Sequence, residues 1–256
     1  MKADFDQAAA TYDNYFTFSE IGKKQRALVY EKLQKQLKDT NKILEINCGT
    51  GEDAIWLAKQ NFNVTATDIS KNMIDVAQSK SKVKNLTFKI LDINTLSEVT
   101  ENFDMLFSNF GGLNCLTKKE LTLFFNSAAK KLTENGKMSL VIMPKNTIWE
   151  QLYFLLKLDF KAAFRRKKEV VFANVNGEKV ATYYYNPKDI VTLSETNFEF
   201  LEVKPIGFFI PPSYLEPFFK NKKTVLNGLT FLENTIKNRS FLSKYADHYI
   251  ITLQKR

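Results

Sequence analysis

Between residues 43 and 143, short runs rich in β-branched and aromatic side chains alternate with stretches of helical periodicity, and this alternation constrains the fold more than any other feature of the chain. Ile43 to Asn47, Asn63 to Asp68, Leu86 to Leu91, Phe103 to Ser108 and Lys137 to Met143 read as strands. Asp53 to Gln60, Lys71 to Ser81 and Lys119 to Leu132 read as helices between them. Strands joined by crossover helices lie parallel in one sheet, so the pattern predicts an α/β fold with a doubly wound, mostly parallel seven-stranded sheet and helices on both faces. Ahead of it, Ser19 is placed to cap a helix running to about Lys38, whose Ile21, Leu28, Val29, Leu33 and Leu37 recur at near-helical spacing.

After Met143 the rhythm changes. Ile148 to Phe164 looks helical and unusually apolar, and Val170 to Val175 and Glu178 to Tyr185 flank Asn176-Gly177, a hairpin-turn signal. Phe198 to Pro205, a helix around Gly228 to Lys237, and Tyr249 to Leu253 complete the sheet. The expected organisation is one domain over 1–256, with an N-terminal helical leader over 1–40 and a helix-plus-hairpin cap inserted after strand five over 145–225.

With 256 residues, 44% of them hydrophobic and 25% charged, the chain has the composition of a folded globular protein. No stretch approaches the ~18 unbroken apolar residues of a spanning helix, and Met1 to Asp6 lack a signal peptide's apolar block, so a cytoplasmic address is expected. Cys48 and Cys115 are too few for a disulfide framework and are expected near each other, because strands one and four adjoin. With His248 the only histidine, no familiar zinc spacing can be assembled and no metal site is expected. Residues 1–144 hold 19 basic and 17 acidic side chains and residues 145–256 hold 18 and 11, so the second half supplies most of the net charge of +9. Such an excess attracts nucleic acid or, as a peripheral contact, an anionic membrane surface; a lysine-rich solvated face is the commoner cause, and charge alone assigns no partner.

In doubly wound sheets ligands bind beyond the carboxyl ends of the strands, which predicts that Asn47 to Gly51, Asp68, Asp92 and Asn109 to Asn114 converge on one crevice. A strand-to-helix loop leaves backbone N–H groups unpaired, and Gly49 and Gly51 let a ligand approach them. Asp68 closes the second strand, where a carboxylate can accept both hydroxyls of a ribose, so an adenosine cofactor is expected. These residues alone leave two cofactors open. Gly49-x-Gly51-x-x-Ala54 also fits a nicotinamide dinucleotide, and Tyr153 and Lys157, four apart on a helix face, match the proton-donating pair of one dehydrogenase family.

The residue detail separates them. Ile43-Leu44-Glu45-Ile46-Asn47-Cys48-Gly49-Thr50-Gly51 resembles the first motif of the class I S-adenosylmethionine-dependent methyltransferases, in which an acidic residue precedes alternating glycines. Thr67-Asp68-Ile69-Ser70-Lys71-Asn72-Met73 through Ala77 resembles their second motif, Leu91-Asp92 the adenine-contacting position, and Phe103 to Phe110 the fourth motif. The leader Phe5 to Asp13 is similar to the opening of many small-molecule members, where it folds over the cofactor. The resemblance covers residues 5–144 and implies S-adenosyl-L-methionine, with S-adenosyl-L-homocysteine as product, bound by Tyr12, Glu45, Asn47, Gly49, Gly51, Asp68, Ile69, Met73, Asp92, Ile93, Asn109 and Phe110. One residue departs from the pattern: Asn47 stands where the family has its first glycine, and Asn tolerates positive φ better than most residues. The tyrosine–lysine dehydrogenases, by contrast, start with their glycine loop, which here follows some forty residues of leader.

Transfer from a sulfonium is an in-line displacement that needs alignment more than acid–base help. For a phenolic acceptor, Tyr12, Asp13 and Tyr184 are the candidate proton acceptors. Trp149, Tyr153, Phe154, Phe160, Phe164 and Gly207 to Tyr214 concentrate aromatic surface in the cap, which favours a small apolar or aromatic metabolite and O- or C-methylation. RNA or another nucleic acid is the alternative acceptor. Against it, the Asn/Asp-Pro-Pro-aromatic motif of amino-methylating DNA enzymes is replaced after strand four by Asn109-Phe110-Gly111-Gly112, and Pro211-Pro212-Ser213-Tyr214 lies far from that strand. A third reading is a non-catalytic cofactor-binding assembly protein. His248, in the closing strand, reads as a structural histidine.

Overall fold

The computed structural model describes residue 6 and residues 9–175 and 178–256. Its main sheet is built from β1 (Lys42–Ile46), β2 (Asn63–Asp68), β3 (Leu86–Ile90), β4 (Phe103–Ser108), β5 (Leu132–Ile142), β8 (Phe198–Ile206) and β9 (His248–Lys255). β6 (Val171–Val175) and β7 (Glu178–Thr182) form a separate antiparallel hairpin. The order in the main sheet is β3-β2-β1-β4-β5-β9-β8, parallel from β3 to β5 and antiparallel where β9 pairs with β5 and β8. The helices are α1 (Ala9–Tyr12), α2 (Glu20–Gln34), α3 (Glu52–Ala58), α4 (Lys71–Lys80), α5 (Lys118–Lys131), α6 (Ile148–Leu156), α7 (Phe160–Ala163), α8 (Pro187–Ser194), α9 (Glu216–Phe219) and α10 (Lys223–Ile236). The expected doubly wound, seven-stranded sheet is what the chain forms.

Side chains alternate between the two faces of a strand, so neighbouring apolar residues feed different layers. Ile43, Met105, Phe107, Val141 and Ile250 pack with Leu28, Val29 and Leu33 of α2, Leu57 of α3 and Leu226 of α10. Leu44, Leu106, Leu140, Tyr249 and Ile251 pack on the other face with Leu121, Phe124 and Phe125 of α5 and Ile190 of α8. Both faces are covered, which is why the central strands are apolar almost throughout. Local signals set the helix starts: the hydroxyls of Ser19, Ser70 and Thr117 accept the N–H groups of Gly22, Met73 and Glu120, and Glu120 completes a capping box.

Three boundaries differ from the sequence reading. β5 begins at Leu132, directly after α5, because its first residues continue the ladder against Phe103. The stretch 148–164 breaks into α6 and α7 at Leu158, which stands at φ 59. Within 145–225, α8 packs on α5 and β8 forms the sheet edge, so the parts lying outside the sheet are the segment from α6 to β7 and the one carrying α9. The turn Asn176-Gly177 lies outside the described residues, as do Phe5, Gln7 and Ala8 of the leader. Cys48 and Cys115 are not joined in a disulfide.

The chain leaves β8 through a tight cradle. The N–H groups of Gly207, Phe208, Phe209 and Ile210 all donate to the carboxylate of Glu233, at 3.2, 3.2, 2.6 and 3.2 Å. Gly207, at φ 75, permits the turn, and the cradle ties the segment after β8 to α10.

Candidate functional site

The strand order reverses between β1 and β4, and a crevice opens at their carboxyl ends. A cavity lies there, lined among others by Tyr12, Arg26, Asn47, Gly49, Asn109 and Phe110. The loop after β1 turns through three left-handed residues, Asn47 (φ 55), Gly49 (φ 52) and Gly51 (φ 76). Its glycines serve different ends. A Cβ on Gly49 would meet nothing within 4 Å, so the backbone there is bare. A Cβ on Gly51 would stand 2.7 Å from Phe88 and 2.8 Å from Ala77, and its N–H is taken by the Cys48 carbonyl at 2.9 Å. Gly51 shapes the turn and lets it pack on β3 and α4; Gly49 leaves room for a ligand.

Asn47 adopts the backbone that the family's first glycine would supply, and a glycine across the crevice makes room for its side chain. A Cβ on Gly112 would come within 2.6 Å of Asn47 Cβ and Nδ2. The extra atoms after β1 are thus matched by missing atoms after β4.

Asp68 pins the loop to β2, accepting the N–H groups of Gly49 and Ser70, each at 2.9 Å. Burial raises its pKa, the N–H groups pull it back, and the net shift is upward. Each oxygen takes one of these donors and retains lone-pair capacity for a ligand hydroxyl. Ile69 follows it, and Met73 is buried beside Ala9 of the leader. Asp92 and Ile93 stand beyond the end of β3, where Asp92 Oδ1 accepts the Asn94 N–H at 2.9 Å; neither lines the cavity.

The leader is latched onto this loop. Asp13 accepts the Thr50 hydroxyl at 2.6 Å and pairs with the Lys80 ammonium at 2.8 Å, and the Ser70 hydroxyl donates to Asp6. Burial opposes ionisation of Asp13, but Lys80 and Thr50 outweigh it and its pKa lies below the ordinary carboxylate value. The carboxylate is therefore committed to holding the leader. Tyr12 is delivered to the cavity, and burial pushes its phenol up to about 12.

Glu45 lies under the loop, 1% exposed, with Oε2 buried and unpartnered. Burial, reinforced by nearby Asp53, holds its carboxyl well above the usual range. Beside it stands a residue that the sequence reading missed, Arg26 of α2. Its Nη1 lies 2.8 Å from Asp53 Oδ1, which also accepts the Tyr30 hydroxyl at 2.7 Å, while Asn109 Nδ2 donates to Asp53 Oδ2 at 3.0 Å. The Arg26 guanidinium sits over the rings of Phe16 and Phe110, 5.7 and 5.3 Å from their centroids. Its Nε and Asn47 Nδ2 are buried without partners. The signal for Arg26 was a charge inside an apolar stripe, since Gly22, Arg26, Val29 and Leu33 share the buried face of α2.

An unpartnered carboxyl, two unpartnered donors, a bare backbone at Gly49 and an acid closing β2 fit a ligand that carries an amino group, a carboxylate and a ribose. Rings contact one another in series, Tyr12 to Phe16 at 5.8 Å, Phe16 to Phe110 at 4.7 Å and Phe110 to His248 at 5.5 Å, and of these Tyr12 and Phe110 line the cavity. Phe110 holds its place at φ 44, a left-handed conformation costly for an aromatic residue and one that clusters at functional sites. Tyr184 does not join the cavity lining; it is buried beneath the Arg166 guanidinium, 4.9 Å from its ring centroid. Tyr153 and Lys157 form a 2.6 Å hydrogen bond on α6 and do not line the cavity either.

Residues 43–136 match a family described as methyltransferase domain. Over 248 residues, covering 93% of this chain and 92% of the relative, the sequence is 28% identical to an uncharacterized protein of Methanocaldococcus jannaschii. A malonyl-[acyl-carrier protein] O-methyltransferase of Bacillus cereus is 35% identical over 126 residues, 47% of this chain and 45% of that enzyme. A solved SAM-dependent methyltransferase of Methanosarcina mazei shares the fold at a TM-score of 0.59 and 20% identity, over 88% of this chain and 97% of that one. With the seven-stranded sheet, the glycine loop and the carboxyl groups around it, these likenesses support S-adenosylmethionine-dependent methyltransferase activity.

Proposed function

We propose that the enzyme methylates a small, apolar or aromatic molecule, at oxygen or carbon, held between the ring series of the crevice and the cap. The observation that carries this reading is the wall Tyr12–Phe16–Phe110–His248, which runs from the leader across the cofactor cavity to the first residue of β9. A wall of ring faces and edges suits a flat or greasy acceptor and offers few donors to a sugar or a phosphate. The malonyl-[acyl-carrier protein] O-methyltransferase among the relatives supports O-methylation of a modest-sized group. Five of the 18 basic residues of the second half are paired in place, Arg165 and Arg166 with Glu150, Lys145 with Asp189, Lys204 with Glu202 and Lys237 with Glu31. That weakens the case for nucleic acid.

When bound, the cofactor supplies a methyl group on a sulfonium. The residues placed to hold it are Asp68 for the ribose, Glu45 for the amino group, and Arg26 with Asn47 for the carboxylate, while Gly49 gives its backbone room. The Asp13 latch keeps the leader over the loop, and the aromatic wall excludes water and limits how the acceptor can lie. Such alignment alone is worth ~7–11 kcal/mol in favourable cases. Tyr12, whose pKa is pushed up to about 12, stays protonated at neutral pH and can donate a hydrogen bond to the acceptor.

The test is transfer of a labelled methyl group to a panel of phenols, quinols, β-dicarbonyls and fatty acids set against sugars, amino acids and RNA. Turnover in the first group is the expected result. Labelling confined to the second would overturn the reading.

A further inference from the structure

A second buried cluster of charge adjoins the cofactor cavity through the contact between Phe110 and His248. β9 runs antiparallel to the rest of the sheet, so it starts where the parallel strands end, and its first residue, His248, is delivered to the carboxyl edge opposite Ile206. The ring is 8% exposed and packs edge-on against Phe110, which lines the cavity. Nδ1 is buried without an aligned hydrogen bond, with Asp247 Oδ2 3.2 Å away. Asp247 is itself fixed from two sides: Gln25 of α2 donates to Oδ2 at 3.1 Å and Arg166 Nη2 to Oδ1 at 3.3 Å. Behind it, Glu150 of α6 binds Arg166 Nε at 3.0 Å and Arg165 Nε at 2.6 Å. The remaining charge near the ring is Arg26, on the far side of Phe110. The ordinary structural histidine has both nitrogens satisfied; here the buried Nδ1 has an acid 3.2 Å away and no aligned hydrogen bond.

We propose that Asp247 and His248 are the proton-accepting pair of the acceptor site. This rests on an acceptor with an ionisable hydroxyl lying against the aromatic wall. As the acceptor oxygen bonds to the methyl carbon, the carbon–sulfur bond breaks with its electron pair left on sulfur, and the hydroxyl proton passes to His248 Nε2. Asp247 receives the Nδ1–H, fixes the tautomer and stabilises the imidazolium formed. Burial opposes ionisation of Asp247, but His248, Arg166 and Gln25 outweigh it and hold its pKa at about 2, so it is anionic at neutral pH. Arg166 is shared between Glu150 and Asp247 Oδ1, while Oδ2 of Asp247 faces the ring and accepts from Gln25.

Because the chain has a single histidine, imidazole NMR reads His248 without assignment. In ¹⁵N spectra of the wild-type protein at neutral pH, the expected result is the Nδ1–H tautomer with Nε2 unprotonated, and a shift of the Cε1–H signal when S-adenosylhomocysteine is added, transmitted through Phe110. Asp247→Asn should mix the tautomers. An Nε2–H tautomer, or a signal indifferent to both pH and S-adenosylhomocysteine, overturns the proposal whatever the acceptor proves to be. Once an acceptor is found, His248→Asn and His248→Gln should lower kcat by roughly 10²–10⁴-fold and abolish the acidic limb of the pH–rate profile, with S-adenosylhomocysteine affinity unchanged. Loss of that affinity in both variants would mark a structural role instead. A panel in which only groups lacking an ionisable hydroxyl react would sink the acceptor reading while leaving the tautomer result to stand or fall by itself.

Discussion

Two buried carboxylate–arginine clusters lie on either side of Phe110, and they are built for different ends. In the first, Asp53 is the hub: one arginine and two neutral donors converge on it from α2 and from the end of β4, the elements that bracket the cofactor loop. Arg26 there keeps an unused Nε facing the loop's own unpaired groups. In the second, Glu150 and Asp247 share Arg166, while Arg165, Gln25 and His248 close the set. The first cluster leaves Arg26 Nε without a partner beside the cofactor loop; the second joins α6 and the following turn to β9 and leaves His248 Nδ1 and Gln25 Oε1 without partners. A cofactor common to a family needs a conserved type of backbone cradle. An acceptor particular to one enzyme needs a cap fastened in one place, and the second cluster fastens it.

The sharpest way to break this contrast is to remove one arginine from each side. Arg166→Met leaves Glu150 and Asp247 buried with too few partners, which costs about 3–5 kcal/mol when a buried pair loses one member. For a chain of this length that is a fall in Tm on the order of 10 °C, measurable by thermal unfolding, with S-adenosylhomocysteine affinity nearly intact. Arg26→Met should do the reverse in proportion: a smaller loss of stability and at least a tenfold loss of cofactor affinity by calorimetry. Equal effects on affinity from both variants would show that the clusters are one unit.

Next in size is Asp68→Ala, which removes the acceptor of the Gly49 and Ser70 N–H groups and of the expected ribose hydroxyls. Cofactor affinity should fall by ~2 kcal/mol, about thirtyfold, because charge-assisted hydrogen bonds are worth roughly that much. Unchanged affinity by calorimetry would move the ribose elsewhere in the crevice.

How much of this was legible beforehand follows from what each residue answers to. The strands and their helices were readable because each buries an apolar face, and periodicity reports burial. Glu45, Asn47, Gly49 and Asp68 were readable because a loop between one strand and the next helix is a local object. Arg26 and the Asp247–His248 pair were not, since their meaning depends on Asp53, Phe110 and Arg166, which the fold brings together from distant parts of the chain. Asp13 was read as a candidate base, but its partners Thr50 and Lys80 were invisible in the sequence, and they turn it into a latch. The width of the cap was overestimated because α8 and β8 return to the body within the span that looked inserted.

The match between Asn47 and Gly112 gives a smaller but cleaner test of the cofactor side. Gly112→Ala places a Cβ where 2.6 Å separates it from Asn47, and overpacking of this kind should cost about 1–2 kcal/mol in chemical denaturation. Asn47→Gly in the same chain should restore most of it, and a double-mutant cycle measures the coupling. Additive losses would mean that the two positions do not share the space.

The smallest expected effect has the more telling sign. Glu45 is buried with an unpartnered oxygen, and its folded pKa is raised by that burial above the unfolded value of 4.5. A carboxyl of this kind stabilises the ligand-free fold below the unfolded pKa, where both states are protonated, and that stability is lost as pH rises through the folded value. At neutral pH it therefore weakens the ligand-free protein. Glu45→Gln should raise the Tm of the ligand-free protein slightly, by about 1 kcal/mol in stability, flatten its dependence on pH above 4.5, and lower S-adenosylhomocysteine affinity roughly tenfold, because the amino group it is placed to receive loses a charged partner. A variant less stable than the wild type without ligand would show that Glu45 serves the fold rather than the ligand, and the cofactor side would lose its difference from the cluster that fastens the cap.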